Sequence, residues 1–214
     1  MRVNHSERDR AIRVVRILKR EYGIPGTALR FSNPFQLLIA TMLSAQCTDA
    51  RVNAVTPVLF KRFRTPEDFA RADVKELEGI IRSTGFYHLK ARRIVEASRA
   101  IVERFNSRVP ASMDDLLSLP GVARKTANLV LSEGFGVVKG IVVDTHVRRL
   151  SFRLGFTRSR DPRVIEQDLM TLLPRREWRN ISFLLISHGR MVCNALKPKC
   201  ELCILKRLCP RRGV

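Results

Sequence analysis

Apolar positions recur along this chain at intervals of three and four and nowhere alternate over a strand's length, so the pattern predicts helices throughout. Residues 7–21 read as a basic amphipathic helix with Ile12, Val15, Ile17 and Leu18 turned inward, ended by Gly23, Pro25 and Gly26. Asn33-Pro34 opens the next helix as cap and first-turn proline. Phe35, Leu37, Leu38, Ile39, Met42 and Leu43 make it apolar almost all round, as in a buried helix. It leaves through the polar segment 44–49, where Asp49 is the expected cap of a helix carrying Val52, Val55, Val58 and Leu59. Thr65, with Asp68 three residues on, starts another, and Val74 to Ile81 continues the helical pattern.

Gly85-Phe86-Tyr87 reads as a turn with two exposed aromatics. The clearest helix follows, with Leu89, Ile94, Val95, Ile101, Val102 and Phe105 as its apolar stripe. Lys90, Arg92, Arg93, Arg99 and Arg104 are left for the outside, and Pro110 is the expected stop. Ser112 with Asp115 caps a short helix whose apolar side is Leu116, Leu117 and Leu119. Pro120 and Gly121 break it, the one lacking an N–H and the other tolerating positive φ. From Arg124 the chain is helical again, with Ala127, Val130 and Leu131 at helical spacing. The product is a tight helix–hairpin–helix whose turn presents backbone N–H groups at a helix start, where the dipole also favours an anion such as phosphate. Lys125 sits one residue inside that start; taken alone, it fits a solvated surface lysine as well as an anion contact.

Gly134 and Gly136 end this helix. Ile141-Val142-Val143 then leads to Asp144, the expected N-cap of a helix with Val147, Leu150 and Leu154 inward. Asp161-Pro162 opens another, burying Ile165, Leu169, Leu172 and Leu173. Trp178 to Ile186 is the last, closed by Gly189. With no strand alternation and no repeat, the fold class is all-α.

A length of 214 residues and an ordinary apolar share of 45% describe a globular chain with one large domain or two small ones. Charge changes the picture: 40 Lys and Arg stand against 20 Asp and Glu, a net +20. Such a surface attracts polyanions, nucleic acid first. No apolar run approaches the ~18–20 residues of a spanning helix. Residues 1–10 lack the apolar segment of a signal peptide, so the chain is expected in a reducing compartment. Its five cysteines then read as ligands or core residues rather than disulfides. Cys47 lies on an apolar helix and reads as core. Cys193, Cys200, Cys203 and Cys209 are spaced C-x6-C-x2-C-x5-C, which implies either Zn²⁺ in a tetrahedral thiolate site or an iron–sulfur cluster. Zinc modules usually pair two C-x2-C turns; one pair with unequal loops suits a cuboidal cluster better. Lys197, Lys199, Lys206, Arg207, Arg211 and Arg212 surround the cysteines, to offset thiolate charge or to meet phosphates.

Three segments in order, Leu119-Pro-Gly-Val-Ala-Arg-Lys-Thr-Ala127, Val143-Asp-Thr-His-Val147 and the cysteine tail, resemble the endonuclease III family of DNA glycosylases, within the helix–hairpin–helix superfamily. Residues 44–49 and 85–91 are similar to segments of that family too, and the resemblance runs from about Asn33 to Cys209. It implies two helical domains with a DNA-binding cleft between them. One is a six-helix barrel with the helix–hairpin–helix, over 27–137; the other, from 1–26 and 138–214, is an iron–sulfur domain holding a [4Fe–4S] cluster on Cys193, Cys200, Cys203 and Cys209. It implies Lys125 and Asp144 as catalytic residues, and Gln46, Phe86, Gly121, Ala123, Arg124, Lys125 and Thr126 as DNA contacts. Gln46 and Phe86 would fill the gap left by a flipped base, while His146 and His188 are structural.

The implied activity belongs to base excision repair: a bifunctional DNA glycosylase and AP lyase. It would remove damaged, oxidised pyrimidines from duplex DNA and cut the strand by β-elimination through a lysine Schiff base. The expected partner is double-stranded DNA with a damaged base or an abasic site. The protein would act as a monomer, in the cytoplasm with the nucleoid, with no membrane role. Two alternatives stay open: a glycosylase removing uracil or thymine opposite guanine, and a non-enzymatic helix–hairpin–helix DNA-binding module. Two features depart from the family pattern. Ala123 stands where a second glycine of Pro-Gly-Val-Gly is usual, a methyl that would disfavour positive φ or crowd a phosphate. One extra residue between Gly134 and Asp144 alters that loop.

Overall fold

The computed structural model of the protein describes residues 5–214. Residues 1–4, part of the stretch read above for a signal sequence and of the 1–26 segment, lie outside the described residues. Every regular element among the described residues is helical, in the order α1 (His5–Tyr22), α2 (Pro34–Leu43), α3 (Asp49–Arg62), α4 (Pro66–Ala70), α5 (Val74–Ile81), α6 (Tyr87–Phe105), α7 (Met113–Leu117), α8 (Arg124–Leu129), α9 (Thr145–Arg153), α10 (Pro162–Leu172) and α11 (Trp178–Met191). No helix among the described residues is long and apolar enough to cross a membrane. The chain divides into two compact units, Ala28–Lys139 and Met1–Thr27 with Gly140–Val214.

In the 28–139 unit, the Asn33 side chain accepts from the Gln36 N–H at 2.9 Å, and α2 is buried from Leu37 to Leu43. The cap of α3 is Thr48, not Asp49: its side chain accepts from Arg51 N–H, and Asp49 becomes the first helical residue, where its charge suits the dipole. The buried face of α3 is Val52, Val55, Thr56 and Leu59, whereas Val58 is 61% exposed. Thr65 and Asp68 form the reciprocal capping box in full. The α6 stripe is displaced from the expected one: Lys90, Ala91, Ile94, Val95, Ala97, Ser98 and Ile101 are buried and Leu89 is exposed. That helix ends at Phe105, with Asn106 and Ser107 left-handed, well before Pro110. The core gathers on Phe69, whose ring meets those of Phe35 and Phe63 at 5.4 and 5.3 Å between centroids.

In the other unit α1 buries Ala11, Val14, Val15 and Leu18, with Ile12 and Ile17 only half-buried at the edges. The stripe packs against α10 and α11. Val147, Leu150 and Leu154, then Ile165, Leu169, Leu172 and Leu173, then Ile181, Leu184 and Leu185 complete one apolar core. Gly189 does not close α11, which runs on to Met191. A Cβ at Gly189 would stand 2.7 Å from His146 Nδ1 and 3.0 Å from Arg149 Nη2, so a glycine lets α9 and α11 approach.

Candidate functional site

The hairpin is built from local backbone physics. The Ser112 hydroxyl donates to Asp115 Oδ2 at 2.6 Å and accepts from the Asp115 N–H, capping α7. Leu116 and Leu119 are buried while Leu117 stays exposed. Gly121 turns the chain at φ +78°, and a Cβ there would lie 3.0 Å from Arg93 Cβ and 3.2 Å from Met42 Cε. Position 123 asks for no such freedom. Ala123 has φ −93° and ψ 167°, extended backbone that any residue adopts, so the alanine brings no strain. It supplies no side-chain cap to α8 either. Ala127, Asn128 and Leu129 are buried beneath, and α8 continues into a π turn over Val130–Gly134. Gly121, Ala123 and Lys125 are exposed; Arg124 and Thr126 are half-buried. The exposed amine of Lys125 thus stands in the first turn of a helix, at the positive end of its dipole.

Two loops of the same unit carry Gln46 and Phe86. Both side chains are exposed, and both residues are left-handed, at φ 51° and 49°. For residues with a Cβ that conformation costs roughly 1–2 kcal/mol each, and such strain persists where the surroundings fix the backbone. Phe86 is 65% exposed, so no packing offsets it. Cys47, expected in the core, lies in the first of these loops and is only half-buried.

Asp144 caps α9 through Oδ1, which accepts from the Val147 N–H at 2.8 Å. The buried run Ile141–Val143 leads into it, leaving the carboxylate half-buried. His146 lies 3.1 Å from Arg149 Nη2, and burial pushes the imidazole below its ordinary range.

All five cysteines are free thiols. Among the described residues, no three His, Cys, Asp or Glu side chains group tightly enough for a single metal ion. Cys193, Cys200, Cys203 and Cys209 instead line one cavity, walled by Leu150, Leu154, Arg153 and His188. Hydrogen bonds point at its sulfurs: Leu205 N–H to Cys203 at 3.4 Å, Arg211 N–H to Cys209 at 3.4 Å, and Arg153 Nη1 to Cys193 at 3.3 Å. Burial pushes His188 down to about 4, so the ring is neutral near pH 7, and pushes the Tyr22 phenol up. The phenol oxygen lies 2.9 Å from His188 Nδ1, and Cys203 Sγ lies 3.4 Å from Nε2, so both ring nitrogens have a hydrogen-bond partner. Burial, then the neighbouring thiols, raise Cys203 and Cys209, so free thiols keep their protons there. Four sulfurs that share one cavity without closing on a single point, with N–H donors converging on them, fit an iron–sulfur cluster better than a lone zinc.

Pattern reading missed Arg149 and Arg153. Arg153 is 7% exposed and also donates to the Asn194 and Ala195 carbonyls at 2.7 and 2.8 Å; Arg149 donates to those of Gly189 and Cys193. They stand one turn apart beside Leu150 and Leu154, but a charged residue gives no local sign of burial. Of the tail cations expected around the cysteines, Lys206 and Arg211 line the same cavity, and their side chains also reach Glu201, Arg211 to Oε1 at 3.5 Å and Lys206 to the carbonyl at 3.4 Å.

Residues 39–175 match the model of the HhH-GPD superfamily base excision DNA repair protein. Endonuclease III of Synechocystis sp. is 52% identical over 205 residues, 96% of this chain and 94% of that one. A solved non-covalent endonuclease III–DNA complex has a TM-score of 0.91 at 42% identity, covering 95% of each chain. A trapped endonuclease III–DNA covalent intermediate likewise has a TM-score of 0.91 at 42% identity, over 95% of this chain and 96% of that chain. The chain therefore belongs to the HhH-GPD superfamily of base excision DNA repair proteins and, within it, to the endonuclease III family.

Proposed function

We propose that the chain removes oxidised pyrimidines from duplex DNA and then cuts the strand 3′ to the lesion, with Lys125 as nucleophile and Asp144 as the assisting carboxylate. Base-excision glycosylase and lyase chemistry comes with the endonuclease III family; the lesion class and the residues are our reading. The observation that carries it is Lys125, an exposed amine in the first turn of a helix with no side-chain cap, in a chain 42% identical to one trapped covalently on DNA. The amides of that turn and the net charge of +20 take hold of phosphates. Gln46 and Phe86 occupy the stack vacated by the flipped nucleotide.

Asp144 answers the positive charge that grows on the sugar as the glycosidic bond weakens. The unprotonated amine of Lys125 attacks C1′, and the base leaves with the bond's electrons. The C1′–O4′ bond then breaks, O4′ takes a proton, and the nitrogen and C1′ share an imine, which acidifies C2′. Loss of a C2′ proton expels the 3′ phosphate, and water later releases the lysine. Cys193, Cys200, Cys203 and Cys209 would hold a [4Fe–4S] cluster, which supplies metal–thiolate bonds that order the tail. The enzyme acts as a monomer on double-stranded DNA, in a reducing cytoplasm where thiolate ligands persist.

Borohydride added during turnover tests the assignment. The wild type should give a covalent adduct through Lys125, and Lys125→Gln should lose adduct and cleavage while still binding DNA. Asp144→Asn should slow base release by at least ~10²-fold. Base release without any adduct would make Lys125 a binding residue and the protein a monofunctional glycosylase for uracil or thymine opposite guanine. If no base is released from any lesion, the enzymatic reading fails.

A further inference from the structure

We propose that Lys90 is a positioning residue: its ammonium ties the loop that carries Gln46 to the loop that carries Phe86, so that both side chains enter the duplex at a fixed separation. The proposal rests on the gap-filling role given to those two residues above. Lysine is among the residues least often buried without a partner, yet Lys90 is only 6% exposed. Nζ donates to Leu43 O at 2.7 Å and to Thr84 O at 2.8 Å, so these two oxygens lie within 5.5 Å of each other. Leu43 is the last residue of α2, where the carbonyls form the negative end of the helix. Thr84 ends the short 3₁₀ turn over Arg82–Thr84.

Gln46 follows three residues after Leu43, and Phe86 two residues after Thr84. Both are left-handed and exposed, a strained state that needs a fixed backbone behind it. One cation bonded to two carbonyls is such a fixture: each bond is charge-assisted and shielded from water, and the two share a single atom. The stem of Lys90 rises from the first turn of α6, so the clamp is anchored in the element that Phe86 itself caps. With Nζ engaged and enclosed, Lys90 is not a second nucleophile; it acts through Gln46 and Phe86.

The test uses the full, cluster-loaded protein. Lys90→Met keeps the stem and loses both donors. It should slow single-turnover base release from a lesion duplex roughly 10-fold or more, the scale of losing hydrogen bonds from a charged group. Affinity for undamaged duplex should change less than about twofold, because phosphates set it. A fluorescent adenine analogue opposite the lesion should report reduced unstacking. In a Gln46→Ala/Phe86→Ala background, Lys90→Met should add less than about twofold, since the residues it positions are gone. An equal penalty in both backgrounds, or none in the wild type, overturns the proposal. If Lys90→Met does not fold, Lys90→Gln, which keeps a donor, is run in the same two backgrounds and read the same way. If the Gln46→Ala/Phe86→Ala protein itself works like the wild type, the gap-filling reading has failed, a separate outcome.

Discussion

The helix–hairpin–helix of the 28–139 unit and the cysteine tail of the other unit are both short, yet they are held in opposite ways. The hairpin rests on a capped helix, one glycine at positive φ and a floor of buried side chains, so its exposed groups carry none of its stability. The tail beyond α11 has only short turns. Leu205 is the one buried apolar side chain among its residues, and Leu196 stands 94% exposed. Its order comes from contacts to sulfur and from Arg149 and Arg153 reaching its carbonyls. The hairpin is self-supporting, so its function can be removed without unfolding it. On the proposed reading the tail is built around a cluster, so cluster and fold should be lost together.

Cys203→Ser should break that symmetry most visibly. The wild type should be brown, with about four irons per chain. The variant should lose the colour and more than ~4 kcal/mol of stability in its own unit, the range reached when a structural metal is lost. Hydrogen exchange should quicken over residues 193–209 while α2, α6 and α8 stay protected. Cys47→Ser, in a loop of the other unit, should keep the iron. If protection falls equally in both units, the contrast drawn here is wrong; if colourless wild type carries one zinc, the cluster assignment is.

The same contrast explains what could be read in advance. Caps are local physics: Asn33, Thr65 with Asp68, Ser112, Asp144 and Asp161 each serve an amide two or three residues on, and all were legible as residue types at fixed offsets. The cysteine spacing was legible for the same reason. Lys90 was not, because its partner Leu43 lies 47 residues away and nothing near it marks the burial of a charge. Gly189 read as a helix stop because a glycine's closeness to another helix leaves no trace in its own neighbourhood. Val58 and Leu89 went to the wrong face because an apolar residue can sit on a helix edge without violating the period. Arg153 was hidden by both effects, a buried charge whose acceptors lie 40 and more residues on.

Within the self-supporting unit, stability and function should separate at Phe86. Glycine and alanine at this position both remove the ring, which is mostly exposed and packs little. Only glycine relieves the left-handed backbone. Phe86→Gly should therefore be more stable than Phe86→Ala by about 1 kcal/mol, after the greater freedom of the unfolded glycine is subtracted. Both should release bases more slowly than the wild type. Thermal melts of the two variants, with single-turnover rates, check both halves; equal stability would mean that the loop relaxes and holds no strain.

Ala123→Gly restores the glycine usual in the family and should do the least. Two small effects oppose one another. Glycine is the better N-cap residue, but it adds freedom to the unfolded chain. Because Ala123 is extended rather than left-handed, no strain tips the balance, and stability should stay within ~0.5 kcal/mol. The backbone path does not change either, so the amides of Arg124, Lys125 and Thr126 keep their direction. Affinity for undamaged duplex should then match the wild type within about twofold, the equivalent of that same half kilocalorie. Tighter binding by the glycine variant would mean that the methyl crowds a phosphate at the hairpin, and the alanine would then be a device that weakens the grip on undamaged DNA. Titration of both proteins against one duplex at one salt concentration decides between them, since the phosphate contribution shifts with salt in each.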